Sequence, residues 1–389
     1  MFDSDVWRGV ESLLDAYAKV ATGDFALLLY ASDSYECAAW VSVGLELRGV
    51  PVRRVWMAPL QDPGFPSRLA EAMPDPMPQR LLVFSFERDT FSHTDALNAA
   101  LAHYPRGRCV VLRTISAGAE LFAQALRAAP QELSARNAAL LERLMPARRL
   151  RITTAGGTDV QVRLDPRHRW ISNRGSARPG GTVVLPAGEV ATYPAAVDGR
   201  FVADFAFNVN TVTARDARLD RHPVELRVEG GRAVAWHCED PATLEFVDSC
   251  FAMDHGCRIG ELGFGTNTGV GEPVALNSHM NERRCGVHFG FGQHNQGPGR
   301  VDYQALVHLD LIARGGRVWV DDEPEPIDLD LVQPSVRMHP LHARDEDVFA
   351  PGSVGPTPED DDADDVRAAA ADDTQDCCGM VGGALVCVR

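Results

Sequence analysis

The chain of 389 residues carries 54 acidic against 38 basic side chains, a formal net charge of −16; this length calls for two domains, and the acidity without any basic block excludes a nucleic-acid partner. Lysine occurs once, at Lys19 on an amphipathic opening helix, which removes P-loop and Schiff-base chemistry from the field. The nine cysteines form no paired CxxC motifs, so neither a zinc ribbon nor a secreted disulfide framework is expected, and the reading is a reducing cytoplasm.

Residues 6–20 place Val6, Val10, Leu13, Leu14 and Tyr17 at helical spacing, and their acidic flank predicts no signal peptide. No apolar run approaches the roughly 18 residues of a membrane span, so no membrane partner is expected. DFALLLYAS follows as a buried strand, then ECAAWVSVGLELRGV as a helix closing near Gly49. PVRRVWMAP, RLLVFSF and CVVLRTIS predict three more strands, with helical ALNAALAHY between the last two. Helices alternating with buried strands predict an α/β domain with a doubly wound, mostly parallel sheet over residues 1–150. Its first strand leads into YASDSYE where a dinucleotide fold would carry GxGxxG, which leaves this domain a support and substrate-shaping role.

Beyond AALLERLMPA the texture changes to short strands and Gly-rich turns in LRITTAGGTDVQVRLD, GTVVLPAGEV, GRFVADFAF and PVELRVEGGRAVAW, with PATLEFVDSCFAM as a helix. Period-two alternation with Gly-Gly and Asp-Gly turns predicts an α+β, largely antiparallel domain over residues 151–335. From 336 to 389 the core pattern is lost. GPTPEDDDADDVRAAAADDTQD predicts an acidic, disordered tail. The closing CCGMVGGALVCVR is read either as solvated chain with incidental thiols or as a processed or metal-gripping segment.

The chemistry concentrates in residues 277–312, NSHMNERRCGVHFGFGQHNQGPGRVDYQALVHLDLI, which offer Glu282, His288, His294, His308 and Asp310. His308 and Asp310 stand two apart in an apolar run, so a strand sends both to one face. His288 lies in the alternating GVHFGFG, a second strand with little bulk around the imidazole. Two His and one carboxylate on adjacent strands would make a metal site. A lone strand His is more often a hydrogen-bonded core residue, so the weight rests on the set. Glu189 in LPAGEV and Glu261 in IGELGFG add carboxylates in apolar, Gly-rich runs, where burial is costly unless they are paired or bound to a cation. Cys285 reads either as a ligand or as a small core residue.

In order and texture, ITTAGGTDVQVRL, LPAGEV, ELGFGTN, a Glu shortly before GVHFGFG, and HLDLI resemble the thermophilic metallo-aminopeptidases that include aminopeptidases T and S, over roughly residues 5–330. The resemblance implies a homodimer that removes N-terminal residues of peptides with two divalent ions, zinc, cobalt or manganese. It implies Glu189, Glu261, His288, His308 and Asp310 as ligands, with Glu282 as ligand or base. The family's Tyr a few residues after the first His is replaced here by FGQHNQG, which puts His294 forward as the electrophilic contact. The same fold resembles the 2,5-dihydroxypyridine dioxygenases, in which two His and an Asp hold one iron(II); His288, His308 and Asp310 meet that requirement. The expected function is hydrolysis of an N-terminal amide by a metal-activated water. The alternatives are an Fe(II) ring-cleaving dioxygenase acting on a small molecule and a non-catalytic peptide-binding protein.

Overall fold

The continuous apolar runs of the N-terminal third are strands of a parallel sheet in the computed structural model, which describes residues 2–88, 91–178, 180–337 and 347–349. The sheet has five strands in the order Val52–Trp56, Asp24–Tyr30, Arg80–Phe86, Cys109–Thr114, Thr182–Leu185, and every neighbouring pair is parallel. On one face Leu27, Leu29, Leu81 and Val83 share a core with Phe65, Leu69 and Leu97 of the helices Phe65–Ala72 and Thr94–Leu101. On the other, the Phe86 ring lies 6.3 Å from Phe122, which meets Trp40 edge-on at 5.7 Å. Both faces are covered, so these strands carry apolar residues at consecutive positions rather than alternate ones.

Thr182–Leu185 corrects one expectation. GTVVL was assigned to the second domain, yet it pairs with Cys109–Thr114, and Arg174–Ala187 belongs to the same compact unit as Met1–Gln131. The second unit opens at Glu132, ahead of the expected boundary at 150, because Leu140, Leu141 and Leu144 of the helix Pro130–Leu144 join its core.

That second unit holds two seven-stranded sheets in which all neighbouring pairs are antiparallel. One runs Arg232–His237, Val224–Glu229, Pro194–Ala203, Asp159–Leu164, Arg149–Thr153, Arg317–Val320, Ile327–Asp328. The other runs Ala206–Val209, His308–Ile312, Gly286–Gly292, Ile259–Gly265, Glu189–Thr192, Trp170–Asn173, Asp347–Phe349. Their facing sides share one core, with Phe201 of the first sheet edge-on to Phe289 of the second at 4.9 Å. The strand Asp347–Phe349 lies inside the stretch expected to be irregular; Phe349 is 1% exposed in that core, which accounts for its order. The acidic segment 355–376 and the cysteine-bearing end 377–389 lie outside the described residues. Cys37, Cys109, Cys238, Cys250, Cys257 and Cys285 are free thiols. Among the described residues no helix is long and apolar enough to cross a membrane.

Candidate metal centre

Three neighbouring strands of the second sheet alternate between core and site. Leu262 and Phe264, Val287, Phe289 and Phe291, and Leu309 and Leu311 enter the core. The period of two therefore sends Glu261 and Gly263, His288 and Gly290, and His308 and Asp310 to the opposite face. Register places Gly263 beside His288, and Gly290 between Glu261 and Asp310. Both glycines leave room that a side chain would take. A Cβ at Gly263 would overlap the His288 ring, and one at Gly290 would stand 2.8 Å from His308 Cε1 and 2.9 Å from Asp310 Oδ1. Glu189 opens the adjoining strand, opposite Gly265, and Glu282 closes the short helix His279–Glu282, capped by the Ser278 hydroxyl.

Six of the expected residues are brought together in two groups, Glu189 with Glu282 and His288, and Glu261 with His308 and Asp310. Within each group the donor atoms lie within 4.8 Å of one another. His308 is the least covered of the six, its side chain 12% exposed. His288 Nε2 stands 2.9 Å from Glu189 Oε1 and 3.6 Å from Glu261 Oε1, so it faces both groups. His308 Nε2 stands 3.1 Å from Asp310 Oδ1, while its Nδ1 donates to the Gln293 carbonyl at 3.0 Å, which fixes the ring and directs Nε2 toward the carboxylates.

Several braces were not anticipated from the sequence. Asn208 Nδ2 donates to Glu282 Oε2 at 3.2 Å and to Asp310 Oδ2 at 3.3 Å. Asn295 Nδ2 donates to Glu261 Oε2 at 3.0 Å, and is itself held by Gln296 Nε2 at 2.7 Å. His279 Nδ1 lies 2.8 Å from Glu282 Oε1. The Arg283 guanidinium binds Glu189 and stands 3.0 Å from Glu282 Oε1.

His294, proposed from the sequence as the electrophile, stands outside both groups. Its Nε2 donates to the Tyr303 carbonyl at 3.0 Å and its Nδ1 accepts from the Gln296 amide at 3.2 Å, so backbone contacts use both nitrogens. Burial depresses its pKa, which keeps the ring neutral. The Tyr303 hydroxyl donates to the Gly292 carbonyl at 3.0 Å, which commits the nearest phenol after His288 as well. Cys285 is a core residue: it is 3% exposed, and burial raises its thiol pKa.

The set fits a cation. Glu189 Oε1, both nitrogens of His288 and Asp310 Oδ1 are buried without a hydrogen-bond partner, an arrangement costing about 1–3 kcal/mol for each such group unless something else satisfies it. Oxygen and imidazole donors suit zinc, manganese, cobalt or iron(II). The electrostatics agree. Burial opposes charge on His288, but the carboxylates of Glu189 and Glu261 beside it hold its pKa well above the ordinary value. Burial works in the same direction on His308, where Asp310 prevails and pushes the pKa up to about 10. Asp310 itself is raised by burial to about 6. Glu282 is held well below the usual carboxylate range against its own burial, by the charges of Arg283 and His279. A carboxylate so stabilised is a poor proton acceptor, so Glu282 is unsuited to act as a base.

Two solved structures have this fold. The 2,5-dihydroxypyridine dioxygenase from Pseudomonas putida KT2440 matches with a TM-score of 0.56 at 16% identity, covering 85% of this chain and 97% of that one. Wild-type AmpT from Thermus thermophilus matches with a TM-score of 0.51 at 15% identity, covering 85% and 99%. No curated protein matches the sequence. A family model described as thermophilic metalloprotease (M29) matches residues 112–296, a span that includes Glu189, Glu261, Glu282 and His288 and ends before His308 and Asp310. The strand pairing supplies those last two, and with them the resemblance stands on sequence and fold together: the chain resembles the M29 thermophilic metalloproteases.

Proposed function

We propose that the chain is a metal-dependent, aminopeptidase-like hydrolase acting on the N-terminal amide bond of a peptide. The observation that carries this reading is the pair of buried groups, five residues on one sheet face and Glu282 on the helix beside it, in which Glu189, His288 and Asp310 have unpartnered donor atoms. A bound divalent ion would supply a water of lowered pKa and polarise the scissile carbonyl. Glu261, His308 and Asp310, with Glu189, Glu282 and His288, are the residues that would hold such an ion. Asn208 and Asn295 fix the carboxylate planes from behind. Of these carboxylates Glu261 is the one suited to proton handling: it would take the proton of the attacking water and pass it to the leaving amine.

A second reading is an Fe(II) ring-opening dioxygenase. It is favoured by His288, His308 and Asp310 sharing a face of two paired strands, and by the commitment of the Tyr303 hydroxyl to Gly292. Anaerobically purified full-length chain, loaded separately with Zn²⁺, Co²⁺, Mn²⁺ and Fe²⁺, separates the two. Amine release from aminoacyl amides supports the hydrolase. Oxygen uptake with a dihydroxypyridine by the Fe²⁺ form, with no amide hydrolysis by any form, overturns it.

A further inference from the structure

Arg283 is the most voluminous fully buried side chain among the described residues, 1% exposed. It follows Glu282 directly, and its Nη1 binds Glu189 and stands 3.0 Å from Glu282 Oε1. A guanidinium withdrawn from water this far requires anionic partners, and it remains charged at any working pH. Glu282 has further partners, His279 at Oε1 and Asn208 at Oε2. Both of its oxygens are thus satisfied by the protein.

The other group differs in kind. Outside the cluster's own side chains, Glu261 receives Asn295, His308 meets the Gln293 carbonyl and Asp310 receives Asn208, all uncharged, and Asp310 Oδ1 lacks a hydrogen-bond partner. The two groups are therefore electrically unequal. The one around Glu189 and Glu282 already contains a fixed positive charge; the one around Glu261 and Asp310 does not. A second metal ion brought against Arg283 would meet that charge at short range with little screening water.

We propose that Arg283 takes the place of one metal ion, so that the centre holds a single divalent cation at Glu261, His308 and Asp310. His288 Nε2, on the border between the groups, is placed to complete its shell. The inference rests on the reading of this face as a metal centre, and it departs from the two ions that the family resemblance implies.

The test is a count of bound metal on the full-length chain, stripped with chelator, dialysed, titrated with Co²⁺ and desalted before elemental analysis. The unaltered chain is expected to retain one cobalt, Arg283→Lys one, and Arg283→Ala two, because removing the side chain takes away the fixed positive charge beside Glu189 and Glu282 and opens the space it filled. Asp310→Ala in the otherwise unaltered chain is expected to retain none, since Arg283 still fills the other position. If Arg283→Ala fails to fold, the unaltered chain and Asp310→Ala decide the matter. Two cobalt ions on the unaltered chain, one remaining on Asp310→Ala, or one on folded Arg283→Ala would each overturn the substitution of cation for metal while leaving the metal centre in place. No cobalt on any of the proteins would instead overturn the metal reading on which it rests.

Discussion

Asn208 stands directly across from Asp310 on the neighbouring antiparallel strand, and its single amide nitrogen reaches both Asp310 Oδ2, at 3.3 Å, and Glu282 Oε2, at 3.2 Å. It is 2% exposed and joins a residue of each carboxylate group. Replacing Asn208 with Ala frees both carboxylates to rotate. Metal affinity is expected to fall by roughly 10–100-fold, the usual effect of losing a group that orients ligands, with the fold kept. Competition against a chromophoric chelator reads this directly; unchanged affinity would show that the ligands are positioned without Asn208.

The centre also depends on the absence of a side chain at Gly290. A Cβ there would press on His308, Asp310 and the Glu261 Cβ at 2.8–3.0 Å. Gly290→Ala is expected to abolish metal binding and to cost about 1–3 kcal/mol of stability through overpacking. Gly271→Ala, where a Cβ meets nothing within 4 Å, serves as the control. Denaturant unfolding and metal titration of the two variants should diverge.

Stability of the metal-free chain should depend on pH with a definite sign. The His308 pKa rises from 6.5 to about 10 in the folded chain. A histidine so raised contributes stability that is fully present below pH 6.5 and is lost as pH climbs through 10. His288 is shifted in the same direction by Glu189 and Glu261. The chelated protein is therefore expected to melt at progressively lower temperature from pH 6.5 to 10, and the metal-loaded protein less so. A melting temperature that is flat or rises over that range in the chelated protein would contradict the assignment.

Behind the centre, Asn137 anchors the strand that carries Glu189. Its Nδ2 donates to Ser172 Oγ, the Asn173 carbonyl and the Glu189 carbonyl at 2.9–3.1 Å, and its Oδ1 accepts from Thr266 at 2.5 Å. Asn137→Ala leaves these buried groups short of partners. The expected loss is about 1–3 kcal/mol, seen as a lower denaturant midpoint with an unchanged slope.

The gathering of His288, His308 and Asp310 on one face was legible in the sequence because a strand's period of two is local. His308 and Asp310 two apart, and GVHFGFG with its alternating glycines, state their own geometry. What escaped depends on partners far along the chain. Arg283 reads as one of two ordinary arginines in NERRCG; what makes it a buried cation is Glu189, 94 residues earlier. Asn208 sits in an unremarkable FNVN, and gains its role only through pairing with the strand of Asp310. The strand Thr182–Leu185 likewise belongs to the first unit by a long-range parallel pairing that no local pattern reports. His294 misled for the opposite reason. It is close to His288 in sequence, but Gly292 turns the chain there with φ of +97°, and the ring is bonded to the Tyr303 backbone.

The central claim, that this face is a metal-dependent hydrolytic centre, is tested most directly by amine release from an aminoacyl amide. The assay compares metal-loaded full-length chain, the same chain after chelation, and the double variant His308→Ala with Asp310→Ala. Activity in the loaded protein that disappears on chelation, returns with added metal and is absent from the double variant is the expected result. Hydrolysis that persists undiminished in the double variant would contradict the account.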